Sequence, residues 1–110
     1  MTTVPIACTL TGAAQAERRD VLAREIFGRY DEVEELADGY AFRFADAEVM
    51  TAPLVEFIAF ERGCCPFFSF ELAFEPEHGP LWLRLRGPDG VKAFIREGMA
   101  PTLTPAANSQ

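Results

Sequence analysis

Phe68-Ser69-Phe70-Glu71-Leu72-Ala73-Phe74, followed after a short polar stretch by Leu81-Trp82-Leu83-Arg84-Leu85-Arg86, is the part of the chain whose reading decides the fold. Phe68, Phe70, Leu72 and Phe74 alternate with Ser69, Glu71 and Ala73; Leu81, Leu83 and Leu85 alternate with Trp82, Arg84 and Arg86. A period of two is the pattern of a strand with one buried face. Residues 76–80 hold two Pro and one Gly and read as the turn between two such strands. The pair predicts an antiparallel hairpin with Phe70, Leu72, Leu83 and Leu85 turned to the core and Glu71 and Arg84 turned away.

The pattern changes on the N-terminal side of this hairpin. Leu54, Phe57, Ile58, Glu61 and Cys65 follow the spacing of a helix face. The spacing predicts a helix over residues 46–63, capped by Asp46 or Thr51, with Pro53 confined to its first turn and the regular part starting at Thr51. Gly63 and Pro66 bracket its end, with Cys64 and Cys65 between them. Further back, residues 33–36 and 40–44 read as a second hairpin, with Asp38-Gly39 as its turn. Tyr40, Phe42 and Phe44 share a face there. Residues 13–27 are rich in Ala, Glu, Arg and Leu and predict a helix. Thr11 is its expected cap, Ala14, Val21, Leu22 and Ile26 its expected buried stripe, and Gly28 its stop. At the N-terminus Val4, Ile6, Cys8 and Leu10 alternate, which predicts a further strand over residues 4–10. After the second clear hairpin, Gly87-Pro88-Asp89-Gly90 breaks the chain. Residues 91–99 then predict a short helix with Val91, Phe94 and Ile95 inward.

This order predicts an α+β fold: a two-layer sandwich with a mostly antiparallel sheet of about five strands and three helices on one face. Length fits one domain, residues 1–99, followed by a flexible C-terminal tail over residues 100–110 that is built mainly of Pro, Thr, Ala, Asn and Ser. Seventeen Asp and Glu against ten Lys and Arg give a net charge of −7. Such a surface repels phosphate, so neither nucleic acid nor an anionic membrane is expected as a partner. No apolar run is long enough to span a bilayer. The first residues lack the layout of a secretion signal. Three Cys, two of them adjacent, do not make a disulfide framework, and a cytoplasmic location is expected. A homodimer is compatible with all of this.

The chemistry is concentrated in Glu61-Arg62-Gly63-Cys64-Cys65-Pro66-Phe67. Thiolates are soft ligands that prefer Cu(I), Zn(II), Hg(II) and As(III)-class ions to Mg(II) or Ca(II). Glu61 stands one helical turn before Cys64 and Cys65, placed to accept a thiol proton or to supply an oxygen ligand. Cys8 offers a third sulfur. These four residues, Cys64, Cys65, Cys8 and Glu61, form the candidate site for a soft metal or metalloid ion or another small thiol-reactive ligand. Two other readings stand beside this one. A thiol-dependent enzyme or redox protein would use one Cys as nucleophile. A structural or partner-binding module would use all three Cys as packing residues, a common fate of buried Cys. Redox chemistry of the thioredoxin kind lacks its Cys-x-x-Cys spacing, and the pair sits at a helix C-terminus, where the dipole disfavours a thiolate. Adjacent residues in an extended segment point to opposite faces, so one buried and one exposed thiol is the geometric expectation. The single His, His78, falls in a polar turn and reads as a surface residue. The Trp82, Arg84, Arg86 stripe reads as a solvated sheet face.

Around the cysteine pair the chain resembles an uncharacterised family of small bacterial proteins with a Cys-Cys-Pro-Phe motif. The resemblance runs through Ile6-Ala7-Cys8-Thr9-Leu10, Glu61-Arg62, Cys64-Cys65-Pro66-Phe67, Phe70-Glu71-Leu72, Gly79-Pro80-Leu81-Trp82-Leu83, Gly87-Pro88 and Gly90-Val91-Lys92-Ala93-Phe94. It implies an association with thiophilic-metal resistance and carries over no catalytic role.

Overall fold

A computed structural model of the chain describes residues 12–99. In chain order these form α1 (Ala13–Phe27), β1 (Glu32–Leu36), β2 (Gly39–Phe44), α2 (Ala47–Cys64), β3 (Ser69–Phe74), β4 (Leu81–Arg86) and α3 (Val91–Phe94), which runs on into a π-helical turn over Ile95–Met99. The fold is α+β, with three α-helices and a four-stranded antiparallel sheet in the order β1-β2-β4-β3. Four strands among the described residues replace the expected five. The fifth was the reading of residues 4–10, which lie outside the described residues together with Cys8, Thr11 and the tail over residues 100–110.

The hairpin that decides the fold forms in the expected register. Phe70 faces Leu85 and Leu72 faces Leu83 across β3 and β4, while Glu71 faces Arg84 on the opposite side. On its other flank β4 pairs with β2, so that Tyr40, Phe42 and Phe44 oppose Leu85, Leu83 and Leu81. These six side chains are all buried. They make one apolar face with two central strands at its heart, and the edge strands complete it with half-buried Val33, Phe70 and Leu72. The other face carries the polar partners: Arg86 pairs with Glu71 and Asp38, Arg43 with Asp31, and Trp82 Nε1 donates to Glu75 Oε2 at 2.8 Å. Edge position explains how β1 tolerates Glu32, Glu34 and Glu35, poor strand formers whose side chains stay in water.

Leu22, Ile26 and Phe27 of α1 and Met50, Leu54 and Phe57 of α2 join this core. Phe27 ties α1 to both β2 and α2, meeting Phe42 edge-on at 5.0 Å and Phe57 at 5.6 Å between ring centroids. Such ring pairs add about 0.5–1.5 kcal/mol beyond burial alone. The stripe of α1 differs from expectation, because Ala14 and Val21 are exposed. The inward face runs instead through Arg19, Leu22, Ala23, Ile26 and Phe27, a stripe of positions three and four apart that includes a cation.

Two local details also differ. Helix α2 begins at Ala47, four residues before the expected start of its regular part, with Asp46 as N-cap accepting from Val49 N at 3.3 Å. Pro53 therefore sits inside the helix, where it removes one backbone bond. The apolar positions Ala47, Met50, Leu54 and Phe57 continue unbroken past it, and their burial offsets that loss. The turn of the first hairpin is Ala37-Asp38, and Gly39 is already the first residue of β2. Gly39 is needed for clearance: a Cβ there would lie 1.7 Å from the Leu85 carbonyl oxygen of the neighbouring strand.

The centre and the edge of the apolar face predict a steep contrast. Phe42→Ala removes a ring with 0% exposure and is expected to cost about 3–5 kcal/mol in urea unfolding. Phe74→Ala, at a position 56% exposed on the same face, should stay within about 0.5 kcal/mol of wild type. Equal losses at the two positions would contradict the packing described.

Candidate metal centre

The end of α2 carries the site. Glu61 lies one turn beyond Phe57 on the inward stripe, so the helix that buries Leu54 and Phe57 buries this carboxylate as well. Its exposure is 0%. Cys64 is the last helical residue and Cys65 the C-cap, whose backbone N–H donates to the Glu61 carbonyl at 2.6 Å. That bond keeps the chain coiled through the junction, so the two thiols do not diverge as they would in an extended segment. Both are buried, Cys64 at 6% and Cys65 at 0% exposure, in contrast to the expectation of one exposed thiol. Pro66 then turns the chain outward, while Phe67 and Phe68 return to the core and pack against Phe94 of α3 at 5.1 and 5.9 Å.

Three predicted ligands are thus brought together. Cys64 Sγ lies 3.7 Å from Cys65 Sγ, and donates to Glu61 Oε1 at 3.6 Å. One ligand atom from each of Glu61, Cys64 and Cys65 lies within 4.8 Å of the other two, close enough for all three to hold one metal ion. The fourth predicted ligand, Cys8, lies outside the described residues. His78 is a surface residue as expected, its side chain 91% exposed and its Nδ1 3.4 Å from Glu48 near the opposite end of α2.

Arg19 is the residue beside this group that reading the sequence missed. It reaches from α1 to place Nε 3.5 Å from Glu61 Oε2, an ion pair without hydrogen-bond geometry. Its guanidinium lies over the Phe94 ring, 5.5 Å from the centroid, and its side chain is only 14% exposed. Arg19 Nε and Nη2 and Glu61 Oε2 are buried polar atoms with no hydrogen-bond partner among the described residues. A buried polar atom without a partner is costly and uncommon in a native fold. The signal was present in the sequence. Arg19 stands three and seven residues before Leu22 and Ile26, on the stripe that faces α2, and Glu61 holds the matching place on the stripe of α2.

Burial pushes the Glu61 carboxyl above its ordinary value; hydrogen bonding with Cys65, the charge of Arg19 and the bond from Cys64 pull it back only in part. Scans of the chain against protein-family models, curated proteins and solved structures found no match.

This carboxyl has a measurable signature in the metal-free protein. A raised folded value means that the native state holds the Glu61 proton more tightly than the unfolded chain. Its contribution to stability is therefore intact below the ordinary value of 4.5 and is lost as pH rises through the folded value. Urea melts of wild type and Glu61→Gln, with chelator and reductant present, should show the variant gaining on wild type as pH rises from about 4.5. Parallel profiles would show that burial does not perturb this group.

Proposed function

We propose that this protein binds a soft metal or metalloid ion through Cys64 and Cys65, with Glu61 as an additional ligand, for sequestration, sensing or hand-over within a reducing cytoplasm. One observation carries the reading: two thiols and a carboxylate converge in the core within 4.8 Å. Packing alone accounts for a buried Cys, but it gives no reason to bury a carboxylate beside two of them with one of its oxygens lacking a hydrogen bond among the described residues. An ion bound there would take up those lone pairs. Cys8 stays a candidate further ligand on chemical grounds, since a third thiolate raises selectivity for soft ions. The absence of any helix long and apolar enough to cross a membrane among the described residues is compatible with this role.

The alternative of a thiol nucleophile draws less support. Both thiols are buried, whereas reactive cysteines usually sit in partly exposed, electropositive surroundings.

Binding of Zn(II), Cu(I), Hg(II) and arsenite, with Mg(II) and Ca(II) as controls, tests the reading against Cys64→Ser, Cys65→Ser and Cys8→Ser. One soft ion per chain should bind, and saturation at a thousand times the dissociation constant should stabilise the fold by about 4 kcal/mol, read as a raised Tm. Either substitution in the pair should lower affinity at least about 100-fold, given that loss of mere outer-sphere partners already costs about 10–100-fold. If both pair variants bind as wild type does, or no ion raises Tm, the reading fails in favour of the thiol-enzyme or packing alternatives.

A further inference from the structure

We infer that the site is built for a divalent ion of tetrahedral habit, of which zinc is the type, held by Cys64, Cys65 and Glu61 with Arg19 as an uncoordinated counter-cation. The inference rests on the metal-binding reading above and narrows it.

Geometry is the first ground. Bonds of about 2.3 Å to sulfur at tetrahedral angles place two sulfurs about 3.8 Å apart; a linear S–M–S unit with bonds of that length spans about 4.6 Å. Cys64 Sγ and Cys65 Sγ are 3.7 Å apart. The same construction with a metal–oxygen bond of about 2.1 Å gives a sulfur–oxygen edge of about 3.6 Å. Cys64 Sγ and Glu61 Oε1 are 3.6 Å apart. Two of the triad's three edges match tetrahedral length, and all three ligand atoms lie within 4.8 Å of one another. Mercury in its linear two-coordinate form would have to spread the thiols.

Charge is the second ground and is independent of the first. Two thiolates and a carboxylate carry three negative charges, and Arg19 returns one positive charge 3.5 Å from Glu61. A divalent ion brings the total to zero. A monovalent ion such as Cu(I) leaves one negative charge in the core, and a bare trivalent centre leaves one positive. An unbalanced buried charge is expensive, and Glu61 and Arg19 are both too enclosed for water to neutralise it cheaply. The Phe94 ring under the guanidinium keeps Arg19 in place without occupying a ligand position. Three protein ligands leave one corner of the tetrahedron for a neutral fourth ligand such as water, and the same charge balance puts Cys8 outside the ligand set of a divalent ion.

Cobalt(II) is the probe, because four-coordinate cobalt absorbs strongly in the visible and six-coordinate cobalt only weakly. Reduced full-length protein titrated with Co(II) should develop intense visible bands and a thiolate charge-transfer band, saturating at one ion per chain. One equivalent of Zn(II) should abolish both. Glu61→Gln should weaken Zn(II) binding at least tenfold while changing Cu(I) affinity less, and circular dichroism would confirm that the variant is folded. Failure of that variant to fold leaves the wild-type cobalt spectrum as the deciding measurement. Weak octahedral-type bands, or tight binding of Cu(I), Hg(II) or arsenite without competent Zn(II) binding, would overturn the divalent tetrahedral assignment while leaving the broader soft-ion reading standing. If no ion binds at all, both fall.

Discussion

Water must be kept from one face of the sheet. Tyr40, Phe42, Phe44, Leu81, Leu83 and Leu85 stand on that face, and two helices carry the side chains that join them in the core. The constraint decides the rest of the molecule. It selects the inward stripe of each helix and brings Phe27 between Phe42 and Phe57. It also holds α1 against α2 closely enough for Arg19 and Glu61 to meet in the interior. The hydrophobic effect is nondirectional. The direction here comes from the pleat, which puts every second residue on one side, and from the helix, which returns a residue to the same side every three or four.

The site grows out of the same constraint. Where the stripe of α2 reaches its last inward turn, the residue is Glu61 and the next inward ones are thiols. The chain thus uses core positions, with core levels of burial, for groups that have ligand chemistry. A folded domain normally excludes such groups or pairs them fully. Among the described residues the pairing is incomplete: Arg19 supplies charge to Glu61 but not a hydrogen bond to Oε2.

Regular patterns were legible in the sequence, and departures from them were not. Helix α1 has the predicted bounds, and the β3–β4 hairpin has the predicted register, because each is written by a period repeated several times along the chain. Strand β2 was legible for the same reason. Gly39 was misplaced because Asp-Gly is a turn signal, whereas the demand on Gly39 comes from a neighbouring strand that local sequence does not reveal. Pro53 misled about the start of α2 since the penalty of an interior proline is local and the burial that offsets it is tertiary. At the site, Glu61, Cys64 and Cys65 could be grouped from spacing alone. The burial of both thiols could not, since it depends on the helix continuing one residue past Gly63. Arg19 was passed over because a single arginine on a helix reads as solvated until the facing helix is known to carry a carboxylate at the same level.

Helix α2 is anchored at one end by the Asp46 cap and carries its chemistry at the other, with Pro53 between. Each residue turns a helix by about 100°. Deleting or inserting one residue anywhere between Pro53 and Glu61 would therefore swing Glu61 and both thiols out of the interior by more than a quarter turn, even with every ligand still present in the chain. The exposed bend between β3 and β4 carries no such rotational information and can change length at little cost. Variation in length should accumulate in that bend and be barred from the second half of α2, a reading-frame-like rule imposed on a stretch of helix by the angular position of the groups at its end.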